Sequence, residues 1–289
     1  MNIDTTLDHL REFVGHFNQI RDVQFEHPDT VPYPLDSDEG IAYLLIVASV
    51  NQGTAAEGVR DFVRSLHEIL GDDLLRFCDL PHDRKAQALA LPKPSNWKIS
   101  SELPQILNSV TQLIQVTQRH GGLVHRGRQQ TDTVAAVEKL ATNIAWMGNK
   151  PTGARKKAWM FMRWMVRPYP DIGIWNPPLN TADLRVPLDV NTGKAFLDLY
   201  KKTPLLARIK AKGIEFEKEG DALASTASNV ESVTAIARWL FPDDPARVDY
   251  ALFCYGRRFG RGEDRHRCWK IVGCYQCPIK ELMNCPGKT

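Results

Sequence analysis

The sequence predicts an all-α protein made of two helical subdomains. Three observations lead there. Apolar residues recur at intervals of three and four in one stretch after another, as in Leu7, Leu10, Phe13, Val14 and Phe17. No stretch alternates apolar and polar residues in the way a half-buried strand would. Glycine, proline and asparagine cluster between the periodic stretches, where helices stop. There is no internal repeat.

Taken in order, residues 3–20 form the first expected helix. Residues 27–34 hold three prolines and are expected to be extended or looped. Residues 38–50 are the strongest helix, and their apolar run at 41–50 suits a buried helix, being too short to span a bilayer. Val50-Asn51-Gln52-Gly53-Thr54 interrupts it. A helix over 55–70 follows, then a short one over 72–78 and a loop at 91–96. Ser100 or Ser101 is expected to cap the next helix, with Pro104 tolerated in its first turn. Leu103, Ile106, Leu107, Val110, Leu113, Ile114 and Val116 line it, and His120-Gly121-Gly122 stops it. Residues 123–131 are a loop or short helix, and 131–147 a helix with Val134, Val137, Leu140, Ala141 and Ile144 on one face. A Gly/Pro turn (Gly148, Pro151, Gly153) joins this to a helix running to Arg167. After a Pro- and Asn-rich loop, helices are expected over 190–200, 204–209, from a cap at Ser228 or Asn229 through 240, and from Pro245 through 255. Residues 212–220 stay open.

The 289 residues are 43% apolar and 25% charged, ordinary for a soluble globular chain. The acidic N-terminus lacks the basic-then-apolar layout of a signal peptide. The expectation is a cytoplasmic, intracellular protein with no membrane partner. The net charge of +3 hides an uneven distribution. Residues 1–40 hold nine acids against Arg11 and Arg21. Residues 150–170 hold Lys150, Arg155, Lys156, Lys157, Arg163 and Arg167 with no acid, and residues 103–131 carry Arg119, Arg126 and Arg128 with none. Such separation suits a polyanion.

Of six cysteines, Cys268, Cys274, Cys277 and Cys285 fall in one C-terminal run, Cys-x5-Cys-x2-Cys-x7-Cys. Four thiolates there can hold tetrahedral zinc or a [4Fe–4S] cluster, and spacing alone leaves both open. Cys78 and Cys254 are expected to be buried thiols.

The order of these parts resembles the helix-hairpin-helix superfamily of DNA glycosylases, which includes endonuclease III and the archaeal 8-oxoguanine DNA glycosylase. Ala154-Arg155-Lys156-Lys157-Ala158 matches the superfamily's lysine position, and Pro187-Leu188-Asp189-Val190-Asn191-Thr192 its aspartate position. The gap of 33 residues from Lys156 to Asp189 is closer to the archaeal branch. Asn191 stands where endonuclease III-like enzymes have a histidine. Ala48-Ser49-Val50-Asn51-Gln52 is similar to the family's Gln-bearing helix end, and residues 244–253 to the helix before its cluster. The resemblance covers about residues 38–285.

It implies subdomains of 38–188, ending in the helix-hairpin-helix, and 1–37 with 189–289, carrying a [4Fe–4S] cluster on the four cysteines. The partner is double-stranded DNA containing a damaged base, bound by a monomer associated with the nucleoid. The activity the resemblance implies is that of a DNA glycosylase with β-lyase (AP lyase) function in base excision repair, with oxidised guanine favoured. A base stacked in a duplex is unreachable, so the nucleotide must be flipped out. Gln52 would prop the gap, and free amides around Gly148 and Gly153, with Arg155, would hold phosphate. Lys156 is the expected nucleophile, with Lys157 the alternative, and Asp189 assists. On a helix the two lysines point about 100° apart, so only one faces the base. Arg163 is a further expected DNA contact. Trp146, Trp159, Trp164, Trp175 and Phe196 are candidates for stacking. A non-catalytic, redox-sensing iron–sulfur DNA-binding protein is the alternative reading, and a zinc-stapled RNA- or protein-interaction domain is a third.

Overall fold

The computed structural model describes residues 2–20, 30–95, 97–148, 150–257 and 267–285. It is about 60% helix and 2% strand, an all-α protein. In chain order the helices are α1 (Ile3–Gly15), α2 (Asp38–Val50), α3 (Ala56–Leu70), α4 (His82–Leu89), α5 (Leu103–Gln118), α6 (Gly122–Arg128), α7 (Thr133–Asn143), α8 (Lys156–Val166), α9 (Val190–Lys202), α10 (Leu205–Ala211), α11 (Ala227–Leu240), α12 (Asp249–Gly256) and α13 (Arg267–Val272). A small antiparallel hairpin pairs β1 (Lys218–Glu219) with β2 (Ala222–Leu223). Among the described residues no helix is long and apolar enough to cross a membrane.

The chain divides into two compact units: Met1–Ile20 with Lys150–Lys156 and Thr181–Thr289, and Arg21–Asn149 with Lys157–Asn180. The expected boundaries were near residues 37 and 188. The division instead falls after residues 20 and 180, and gives residues 150–156, inside the expected 38–188 subdomain, to the first unit.

The second unit is centred on α2. Ser37 caps it by accepting from Gly40 N, and every residue from Gly40 to Val50 is buried. A helix apolar on all sides needs neighbours all round, and α3, α5, α6 and the 3-10 stretch Gly71–Asp79 supply them. Each buried Leu or Ile contributes roughly 1.5–3 kcal/mol. Gly127 lets α6 lie directly on the Trp175 indole, since a Cβ there would overlap the ring. Beside α2, the Tyr33 hydroxyl donates to Asp72 Oδ1 at 2.8 Å and stands 3.1 Å from His67 Nε2. Burial, then the Asp72 hydrogen bond, holds the Tyr33 phenol well above its ordinary range. Burial does the same to Tyr43.

In the first unit α9 packs on α12, β2 and α10, and α1 packs on α10, α11 and α12. Arg11 donates to the Leu240 and Trp239 carbonyls at 3.2 and 2.9 Å, capping the C-terminal end of α11.

Several expectations are corrected. α5 starts without a side-chain cap, at Glu102, rather than at Ser100 or Ser101. α7 stops at Asn143 because Ile144 turns extended, so residues 144–155, not a short turn, separate α7 from α8. Thr226, whose hydroxyl accepts from Asn229 N, caps α11. α4 and the β-hairpin were not anticipated. Residues 27–29 of the expected proline loop, and Asn149 of the turn, lie outside the described residues.

Two outcomes follow for solution work. Leu44→Ala should cost about 2–5 kcal/mol in denaturant unfolding, the range for a large buried side chain cut to Ala in a packed core. Tyr33 and Tyr43 release their protons more readily unfolded than folded. Their contribution is therefore complete below pH ~10 and is lost as pH rises through the higher folded-state range. Tyrosinate absorbance should rise for these two only as the fold is lost.

Candidate active site

The segment that leads into α8 is fixed by backbone pairing. Gly153 forms an isolated antiparallel bridge with Thr226, in which Ala154 N donates to Ser225 O at 3.2 Å and Ala227 N to Thr152 O at 2.8 Å. The partner segment is itself held by Asn229, fully buried in α11. Its amide donates to Glu217 O at 2.7 Å and Ala224 O at 2.8 Å, and its carbonyl accepts from Glu217 N at 3.0 Å. A buried amide with its hydrogen bonds made rigidifies what it touches. It thereby fixes the stretch that ends in Lys156.

Lys156 Nζ stands 3.7 Å from Asp189 Oδ2, and both side chains are partly exposed. Asp189 is also the N-cap of α9, its Oδ1 accepting from Thr192 N at 2.9 Å. One carboxylate thus caps a helix with one oxygen and faces the lysine with the other. The start of α9 is held close to α12 because Gly256 leaves room for the Asn191 carbonyl. A partly exposed ion pair adds at most about 1 kcal/mol to stability, so the arrangement is poorly explained as a structural staple.

Lys157, the next residue, belongs to the second unit. It is buried, and its Nζ donates at 2.8 Å to Ser49 O near the C-terminal end of α2, where a cation is favoured by the helix dipole. Arg163 is buried with Asp171, which Arg167 also meets, both at 3.3 Å. It was expected to contact DNA; its place is a buried ion pair. Gln52 is exposed just past α2, while Asn51 before it is buried. Gly148 has a φ of 109°. The amides of Gly153 and Ala154, expected to be free for phosphate, are taken: Gly153 N donates to Lys150 O at 2.9 Å, and Ala154 N to Ser225 O.

Trp159, Trp164, Trp175 and Phe196 are buried, whereas Trp146 is 44% exposed. Trp146 and Arg155 have φ values of 62° and 50°, left-handed backbone that non-glycine residues take at a cost. Asn284, just before Cys285, is the third such residue among those described.

Cys268 is buried, and Cys274, Cys277 and Cys285 are partly so. A turn in which Lys280 N donates to Cys277 O and Cys285 N to Lys280 O folds the end of the run back. Burial raises the Cys277 thiol pKa, and the neighbouring Cys285 and Cys274 add to the rise. Among the described residues no group of three or more His, Cys, Asp or Glu stands close enough to hold a metal ion. Cys254 is buried as expected, and Cys78 is partly exposed. Arg257 lies over the Phe253 ring. Arg258, Arg261 and Arg265 lie outside the described residues.

A family model described as a protein of unknown function (DUF2400) matches residues 95–258. The chain belongs to the DUF2400 family. No curated protein and no solved structure matches it. The DUF2400 match takes in Lys156, Asp189 and Asn229 and ends before Cys268.

Asn229 and Gly256 were not singled out from sequence. Asn229 had been read only as a possible helix cap. Replacing it with Leu should destabilise the first unit by more than about 2 kcal/mol, because three backbone groups lose their partner in the interior. Gly256→Ala should likewise lower the unfolding midpoint, through overlap with the Asn191 carbonyl.

Proposed function

We propose that this DUF2400 protein is a DNA glycosylase with β-lyase activity, with Lys156 as nucleophile and Asp189 as its partner. The observation that carries the reading is the approach of Lys156 Nζ to Asp189 Oδ2, two groups 33 residues apart in sequence. It is supported by the resemblance of the surrounding motifs to helix-hairpin-helix glycosylases.

The carboxylate takes the proton of the ammonium, leaving a neutral amine. The amine forms a bond to the anomeric carbon of the sugar as the bond to the damaged base breaks, and the base leaves with its electron pair and is protonated. Nitrogen then expels the ring oxygen to give a Schiff base, and loss of the adjacent sugar proton eliminates the 3′ phosphate. Asp189 passes the proton it took to the departing base and, ionised again, offsets positive charge on the sugar. Lys157, committed to the Ser49 carbonyl, is less suited to attack. Oxidised guanine is the favoured substrate. Gln52 is assigned to the gap left in the duplex.

Cys268, Cys274, Cys277 and Cys285 fit a [4Fe–4S] cluster or zinc by their donor chemistry. We assign them a cluster that supplies a structural and DNA-docking element, with no step of base removal at it.

Lys156→Gln should keep duplex binding and lose borohydride trapping on lesion-containing duplexes, while Lys157→Gln should still trap. Trapping that survives both changes removes the assignment. Because the Lys156–Asp189 pair contributes little to stability, the Lys156→Gln result should not be accompanied by unfolding. Purified protein should also be brown and carry iron. A colourless protein with one zinc favours the zinc-stapled interaction domain, and a brown one that releases no base from a lesion panel favours the redox-sensing reading.

A further inference from the structure

The chemistry proposed above uses none of the charge in the second acid-free run, residues 103–131. The structure gathers that charge onto one short stretch of the second unit. Arg119 and His120 follow α5, and His125, Arg126 and Arg128 lie on α6; all five side chains are exposed. Leu123 and Gly127 turn inward, so α6 packs on α5 and α2 and presents its basic side outward. Its footing is firm. Gly127 seats it on Trp175, Arg128 Nε donates to Ile174 O at 3.3 Å, and Gln130 Nε2 donates to Arg126 O at 3.0 Å.

The neighbouring carboxylates are spent on backbone amides. Asp38 Oδ1 accepts from Val124 N at 2.7 Å, and Asp132 Oδ1 accepts from Val134 N and Ala135 N at 2.8 and 3.0 Å. Glu39 shares the first turn of α2 with Asp38. α5 contributes no carboxylate along its length. Among the described residues, Arg119, Arg126 and Arg128 therefore lack the carboxylate partners that surface arginines ordinarily find.

We propose that this surface, formed by Arg119, His120, His125, Arg126 and Arg128, binds the phosphate backbone of duplex DNA without reading sequence. A seven-residue helix is about 10 Å long. Duplex DNA carries one charge per ~1.7 Å of axis, so several phosphates face the patch at once. Guanidinium groups suit phosphate through paired hydrogen bonds. The proposal rests on the DNA-directed reading above but not on its lyase chemistry.

The test is binding of the full-length protein to an undamaged duplex over a salt series. Wild type is compared with Arg119→Gln/Arg126→Gln and with a control of equal charge change, Arg84→Gln/Lys93→Gln. Unfolding midpoints confirm that all three are folded. Loss of two phosphate contacts should reduce the slope of log K against log salt by about 1.8, and the control should keep the wild-type slope. Equal slopes for wild type and the Arg119/Arg126 variant, or no duplex binding by wild type, overturn the proposal. Borohydride trapping on lesion duplexes, run beside it, separates the two readings. Patch-dependent binding without trapping removes the lyase and leaves this surface. Trapping with an unchanged slope removes the surface and leaves the lyase.

Discussion

The backbone pairing of residues 152–154 with 225–227 is the constraint from which the candidate site follows. It takes a stretch that lies between two helices of the second unit in sequence and makes it part of the first. Lys156 is the last residue of that stretch, so its ammonium is placed by the first unit, where Asp189 also lies. Asn229 underwrites the pairing from inside the core, and the cap made by Asp189 fixes the other half of the pair.

The strained backbone positions tell a related story. Among the described residues, the three non-glycine residues at positive φ are Trp146, Arg155 and Asn284. Two flank the turn before Lys156 and the third adjoins Cys285. Such conformations persist only where the surroundings over-determine them, and they concentrate where geometry serves more than stability.

Much of the fold was legible from the chain. α2 was placed at its observed ends because its apolar run at 41–50 signals a buried helix, and α3 came within a residue. α4 was missed because Ala88 alone is buried along it, so it has hardly any apolar stripe to read. The hairpin was missed because two residues per strand are too few to show alternation. The tail of α7 was over-extended because Ile144 and Met147 keep helical spacing while their backbone leaves it; both are buried all the same. Lys156 and Asp189 were found through motif resemblance, and nothing in composition separated Lys156 from Lys157. What separates them is tertiary: one meets a carboxylate, the other a carbonyl at a helix end. Asn229 is visible only once its three backbone partners are known.

The arrangement of α1 bears on how the chain is made. Its Arg11 caps α11 through carbonyls 228 and 229 residues away. At a synthesis rate of about 5–20 residues per second, the N-terminal helix leaves the ribosome roughly 10–50 s before its acceptors exist. Leu7, Leu10, Phe13 and Val14, all buried at the end, spend that interval without the surface they finally cover. α1 is thus made long before the surface it finally covers, and it finds its place late.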